Sequence, residues 1–387
     1  MGFELALESV ASGEDAIHEM FGESDGRRIR DRRRDPAYLR SLTEAAKLIN
    51  RVSAGTLPFH YMKEAMTTSD FPLLFADILD RQMVGEYQET VPTWPNYIRR
   101  GTVPTFQFVS RMAVDGAEGR LDRVAEREEY PEGELEVAED RYRVFKYGKR
   151  LDLSWEAQVN DDLDAFRNLP SRLARGARRT ENYIATSLWV DENGPSADLY
   201  EDGLNVIPGN PELSIEALQE AFSLLSTYTD EDGEPILIEM AELTVPPALM
   251  VPAQNILNAI QLELGDSTDA SRARLVTSNW MKNRVRLNVE PYIPHIATGP
   301  TGQTMWALHA NPNSGRAFAE VGFLRGHETP ALYERAPNAR RVGGGEVRES
   351  FEDDSMAWRV RHVLGGGLLK NTGGQKATVA SDGSGTS

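Results

Sequence analysis

The sequence changes period once, sharply, and that change limits what the chain can fold into. From Phe145 to Trp155 the odd positions read Phe, Tyr, Lys, Leu, Leu, Trp, and the even ones Lys, Gly, Arg, Asp, Ser. Period two with one apolar face is a strand. After Asn160-Asp161-Asp162 the apolar residues Leu163, Phe166, Leu169, Leu173, Ala177, Ile184 and Leu188 recur mostly at steps of three and four. That is one stripe of an amphipathic helix. Asp161 and Asp162 stand where N-caps and the helix dipole favour acids. A calcium loop would also need a turn glycine and a closing Glu at set positions, and this segment has neither. Arg141–Trp189 therefore reads as a strand feeding a long helix. Pro170 marks the point where that helix restarts or bends.

The other segments are arranged around this pair. Asp35-Pro36 predicts a helix start, followed by Leu39, Leu42, Ala46, Ile49 and Val52 and closed by Gly55. A second helix is predicted from Pro72 to Val84, ended by Gly85. Phe106–Val114 alternates again and is expected to pair with Tyr142–Trp155. The acidic stretch Gly116–Asp140 would be the tip of that hairpin. Phe106, Phe108, Met112, Phe145, Tyr147, Leu151, Leu153 and Trp155 lie along its two limbs. A two-stranded hairpin alone is marginal in water, so these side chains cover either their own domain or a neighbouring subunit. Ser214 caps a further helix, Leu243-Thr244-Val245 is a short strand, and Ala253–Leu264 is read as a helix. Short strands follow at Arg286–Val289, Thr304–His309 and Phe318–Phe323. Met356–Leu364 alternates and is expected to end at Gly365-Gly366-Gly367. The Gly, Ser, Thr and Ala of Thr372–Ser387 read as a disordered tail.

Chemistry is harder to find. The chain has 387 residues, a net charge of -18 and no cysteine. Disulfides and thiolate chemistry are thereby excluded, and a dedicated nucleic-acid binder is disfavoured. No apolar run approaches the ~18–20 residues of a membrane span. The glycine runs Gly343–Gly345 and Gly365–Gly367 do not sit between a strand and a helix, as a phosphate-cradling loop requires. No two of His18, His60, His295, His309, His327 and His362 are spaced i,i+4, as in a zincin helix. Two basic groups stand out. Arg32, Arg33 and Arg34 follow a polar N-terminal stretch, and Arg172, Arg175, Arg178 and Arg179 lie on the long helix. Each is a solvated charge run, a match for acidic loops of a partner, or a surface facing nucleic acid.

Five phrases, in order, carry a resemblance. They are Ala65–Leu74; Tyr147–Leu151 with Ser154-Trp155-Glu156 and Val159–Asp162; Leu243–Leu249; Trp306-Ala307-Leu308 with Gly322-Phe323-Leu324 and Glu328-Thr329-Pro330; and Phe351 with Trp358–His362. Together they resemble the Hong Kong 97-type fold of tailed-phage major capsid proteins, in detail the Mu-like major head subunit family, over about residues 60 to 365. The resemblance implies an α+β fold with an N-terminal arm (1–70), a peripheral domain beginning at 71–103, and an extended hairpin or E-loop (104–156). A spine helix and more peripheral domain (157–210), an axial domain (211–330) and a closing peripheral strand (331–371) follow, before the tail (372–387). It implies a non-enzymatic subunit, without cofactor or metal, that assembles through pentamers and hexamers into an icosahedral head around double-stranded DNA. The hairpin side chains would make intersubunit contacts, and the Arg groups would pair charges or face loosely held DNA. Portal, scaffold and decoration proteins would be partners, membranes would not. The location would be the virion, assembled in the bacterial cytoplasm. The alternatives are an encapsulin-like compartment shell and a soluble metal-dependent hydrolase. Subunit crosslinking through a hairpin lysine is not expected, because Gly116–Asp140 contains no Lys.

Overall fold

The computed structural model describes residues 36–53, 56–57, 71–115, 124, 136–154, 163–229, 241–259, 261–264, 275–282, 284–313, 317–335, 352 and 355–385. In chain order its elements are α1 (Pro36–Ser53), α2 (Phe71–Glu89), β1 (Arg99–Val103), β2 (Val109–Asp115), β3 (Glu136–Tyr142), β4 (Phe145–Ser154) and the long α3 (Leu163–Thr186). Then come β5 (Val190–Asp191), β6 (Gly194–Pro195), α4 (Ile215–Thr227), β7 (Ala241–Val245), α5 (Met250–Asn258), β8 (Gln261–Leu264), β9 (Leu275–Ser278) and β10 (Val285–Val289). Short helices α6 (Ile293–Ile296) and α7 (Thr301–Thr304) precede β11 (Trp306–Ala310), β12 (Ala319–Leu324), β13 (Ala331–Glu334), β14 (Ser355–Leu368) and β15 (Thr378–Ser381). The expected mixture of helix and sheet is what forms. Among the described residues no helix is long and apolar enough to cross a membrane. The chain divides into two compact units, each assembled from three separate stretches.

Unit 1 comprises residues up to Val91, Lys146–Thr180 and Arg325–Val363. Its core cluster joins Met83 and Tyr87 of α2, Leu173, Ala174 and Ala177 of α3, and Val360 of β14, with Leu151 and Leu332 packed against it. The buried Ile78, Leu79, Gln82, Met83 and Tyr87 form one helical stripe. That stripe explains why α2 runs through Gly85 instead of ending there. An interior glycine costs roughly 1 kcal/mol, less than burying a tyrosine two residues later gains. Pro170 likewise sits inside α3 without ending it. The ring removes one helical hydrogen bond, but Pro170 is itself buried and the packed face continues to Leu173 and Ala177. Within this unit β14 pairs with β13 in register Leu332↔Val360 and also with β4.

Unit 2 comprises Pro92–Phe145, Glu181–Leu324 and Leu364–Ser387. One sheet has the order β10-β7-β11-β15, with β10 and β7 parallel and the remaining pairs antiparallel. In another, β12 lies between β1, parallel to it, and the last residues of β14, antiparallel. The core is aromatic: Trp94, Tyr97, Trp189, Trp306, Phe318 and Phe323 are all but fully buried. Glu290 is buried among them and accepts hydrogen bonds from Thr93 Oγ1 (2.5 Å), Tyr292 N (3.2 Å) and the Tyr97 hydroxyl (3.4 Å).

His309, also fully buried, lies near-parallel to Tyr97 and Phe318, with ring centroids 5.2 and 4.6 Å away. Its Nδ1 is 2.8 Å from Thr378 Oγ1. Burial holds this imidazole down at about 3. The unfolded chain, with an ordinary imidazole, binds that proton first as the pH falls. Stability to urea should therefore decline from about pH 6.5 toward 3, and the decline should be shallower in His309→Gln.

Four sequence expectations are corrected here. Val109–Asp115 pairs with Glu136–Tyr142, in register Val109↔Tyr142 to Asp115↔Glu136, not with the 145–155 strand. Phe145–Ser154 pairs with β14 instead. Period-two alternation marks both strands but says nothing of which one is the partner. The helix read over Ala253–Leu264 stops at Asn258, and Gln261–Leu264 pairs with β9. Asn279 supplies the stop, its Nδ2 donating to the carbonyls of Ile256 (2.8 Å), Leu257 (3.1 Å) and Ala259 (3.0 Å).

The other two concern composition. Gly365–Gly367 do not end β14; they are its interior. A Cβ on Gly367 would lie 2.5 Å from Tyr142 Cβ, and one on Gly366 2.8 Å from Leu188 Cδ1. The glycines are there because other chain segments approach the strand closely. The segment read as a disordered tail is ordered from Thr372 to Gly385. Gly374–Ala377 forms a single 3-10 turn, and β15 is buried throughout, paired with β11. Ala380 O also accepts from Ile207 N (2.9 Å), and Ala380 N donates to Asn205 O (3.0 Å). Small residues suit a strand bonded along both edges, and composition alone concealed this. The expected hairpin tip is shorter than Gly116–Asp140, because Glu136–Asp140 belong to β3; most of its remainder, the Asn160-Asp161-Asp162 cap and most of the arm over residues 1–70, α1 apart, lie outside the described residues.

Candidate functional site

Strands β2 and β3 of unit 2 pair as a hairpin, and its base is tied down by two buried carboxylates. Glu320, in the middle of β12, has a side chain only 3% exposed. Arg99 Nε donates to its Oε2 (2.8 Å) and Arg111 Nε to its Oε1 (2.9 Å). The Tyr142 hydroxyl donates to Oε1 as well. Burial pushes this carboxyl up, but hydrogen bonds from Arg111 and Tyr142 and the charges of Arg111 and Arg99 outweigh it. The carboxyl is held below its usual range. Arg111 and Tyr142 belong to β2 and β3 respectively, so one carboxylate grips both limbs. Gly101 and Gly322 leave the room: a Cβ on Gly101 would strike the Glu320 carboxylate, and one on Gly322 the Tyr142 ring. Asp140 is the second tie. Buried on β3, it accepts from Thr372 N and Thr372 Oγ1, both at 3.0 Å, and from Asn371 N at 3.3 Å.

The opposite face of the hairpin is bare. Alternation places Met112 and Val137 away from Arg111, Asp140 and Tyr142. Met112 is 66% and Val137 59% exposed. Outside the two strands, Phe106, Phe108 and Phe145 are 48%, 63% and 45% exposed. These five are among the large apolar side chains that unit 2 leaves uncovered.

The eight predicted contact residues thus divide. Phe106, Phe108, Met112 and Phe145 are exposed on unit 2. Tyr147 and Leu151 are half-buried in unit 1, where Leu151 packs on the Met83–Tyr87 cluster, so Leu151 serves its own core. Leu153 lies in β4, and Trp155 falls outside the described residues. Of the predicted basic residues, Arg172, Arg175 and Arg179 are exposed along one stripe of α3. Arg178 is not part of it. Its guanidinium lies 3.5 Å from the Tyr87 ring centroid and its Nε donates to Tyr87 O at 2.9 Å, a packing role inside unit 1. Arg32, Arg33 and Arg34 lie outside the described residues. Among the described residues no group of His, Asp and Glu is arranged to hold a metal ion.

Glu320, Asp140, Arg99, Arg111, Arg143 and Val137 were not singled out by sequence. One signal was available: Glu320 is the lone charge in Ala319-Glu320-Val321-Gly322-Phe323-Leu324, an otherwise apolar strand, and a buried acid demands partners.

The sequence profile of the family described as phage capsid protein matches residues 138–377. No curated protein matches the chain. Among solved structures the chain is similar to one from Microbacterium phage Oxtober96, at 12% identity and TM-score 0.44, covering 77% of this chain and 92% of that one. It is also similar to the crystal structure of a virus-like particle from Pyrococcus furiosus, at 11% identity and TM-score 0.43, covering 79% and 99%. A third is the capsid structure of the Cyanophage P-SCSP1u, at 10% identity and TM-score 0.45, covering 77% and 88%.

Proposed function

Because the chain belongs to the phage capsid protein family, we propose that it is the major subunit of a tailed-phage head, Hong Kong 97-like in fold and Mu-like in kind. The family match over residues 138–377 carries this reading. The work is structural, self-assembly into a closed shell, with no catalytic step. The hairpin within 104–156 is the E-loop, α3 the spine of a peripheral domain, and the β10-β7-β11-β15 sheet belongs to the axial domain. Residues 1–70 are the arm. Burying Phe106, Phe108, Met112, Val137 and Phe145 on a neighbour supplies the apolar part of the drive, at roughly 25 cal/mol per Å². The anchored base means that little further ordering of the hairpin opposes that gain.

Packaged double-stranded DNA is held loosely. Arg172, Arg175 and Arg179 meet its phosphates, while the net charge of -18 keeps the overall grip weak. Portal, scaffold and decoration proteins complete the particle, which is the virion, built in the host cytoplasm.

Negative-stain microscopy of the expressed chain, alone and with its scaffold, tests the reading. Closed shells, hexamers or tubes are expected. A compact monomer that never assembles under either condition would sink it. The double substitution Met112→Glu with Val137→Glu should raise the concentration needed for assembly at least tenfold. Both sites are exposed, so the stability of the unassembled subunit should hold, within about 0.5 kcal/mol. An equal loss of stability would mean that this face belongs to the subunit's own core.

A further inference from the structure

We propose that Arg143, with Phe108 and Phe145, forms a socket for a carboxylate of a second copy of this chain. Arg143 stands between β3 and β4 and is exposed. Its guanidinium carbon lies 5.1 Å from the Phe108 ring centroid and 4.7 Å from that of Phe145. Those two contacts are its interactions among the described residues; no carboxylate there pairs with it. Flanking rings hold the guanidinium in place, so less side-chain freedom is lost when its N–H edge is used. That edge matches a carboxylate in bidentate geometry. The exposed rings form an apolar rim, and a partner seated on it excludes water and strengthens the ion pair. The occupant follows from charge. The chain carries 60 acidic against 42 basic residues, so each copy offers carboxylates in excess of cations that could neutralise them internally.

The proposal rests on the assembly reading, and the experiment separates the two. Assembly is titrated by light scattering for the unsubstituted chain, Arg143→Gln, Arg143→Glu and Arg143→Lys. Arg143→Gln should need at least tenfold more protein to assemble and Arg143→Glu more still, with monomer melting unchanged because the site is exposed. Treating Arg143→Lys at high protein concentration with a carbodiimide should couple position 143 to an Asp or Glu of another chain, identified by mass spectrometry of the linked peptides. An unsubstituted chain that never assembles sinks the assembly reading. An assembling chain whose Arg143→Gln and Arg143→Glu variants assemble equally well overturns the socket alone. Couplings confined to a single chain overturn it too.

Discussion

Glu320→Gln should destabilise unit 2 by about 2 kcal/mol and free the hairpin at its base. Breaking a buried ion pair by removing one partner typically costs about 3–5 kcal/mol, and the figure is reduced here because Arg99 and Arg111 are partly exposed. The amide keeps the volume and one acceptor but leaves two guanidinium groups facing no charge. Amide hydrogen exchange should therefore quicken in 109–115 and 136–142 before it does in β7 or β11. The pH dependence has a definite sign. The folded carboxyl is depressed, so its contribution is whole above the ordinary carboxylate pKa and is lost as pH falls through the lower folded value. At sufficiently low pH the unsubstituted chain should exchange like Glu320→Gln. If the variant melts as usual and its hairpin stays protected, Glu320 is not the anchor.

Gly365→Ala should be worse, with a loss of about 3 kcal/mol or more and little soluble protein. Its new methyl would run into the carbonyl oxygen of Arg143 and lie 2.8 Å from Val144 Cα, and neither backbone atom can step aside. Gly85→Ala is the internal comparison. Nothing lies within 4 Å of a Cβ there and the residue is inside α2, so alanine should stabilise by up to about 1 kcal/mol. Thermal melts of the two variants should move in opposite directions. If both moved the same way, the close approach at β14 would be wrong.

That contrast also shows where sequence reading works and where it stops. Pro36 opening α1, Ser214 capping α4 through Ala217 N at 3.1 Å, and the stripe along α3 are local effects, legible within a few residues. Gly85 and Gly365–Gly367 look alike as letters. One is a tolerated helix position and the others are sites of close approach, and the difference lies in Arg143, Val144, Leu188 and Tyr142, far away in sequence. Several strands were found, but β1, β13 and β15 were not, and β2 was given the wrong partner, because alternation fixes a face and not a neighbour. The exposed residues Phe106, Phe108, Met112 and Phe145 were legible as apolar letters along alternating segments. Their anchor was not: Glu320 is bonded to residues 178 to 221 positions away. Asn279 ending α5 and Asp140 holding Thr372 are hidden for the same reason.

The placement of β15 has a consequence in time. β1 waits for β12, some two hundred residues later, and β11 waits for Thr378–Ser381. On a ribosome, unit 2 cannot close its sheet until Ser381 has cleared the exit tunnel, and contacts of such long sequence separation form slowly. Until then the edge of β11 that β15 will cover stays unpaired, and an open strand edge invites other chains.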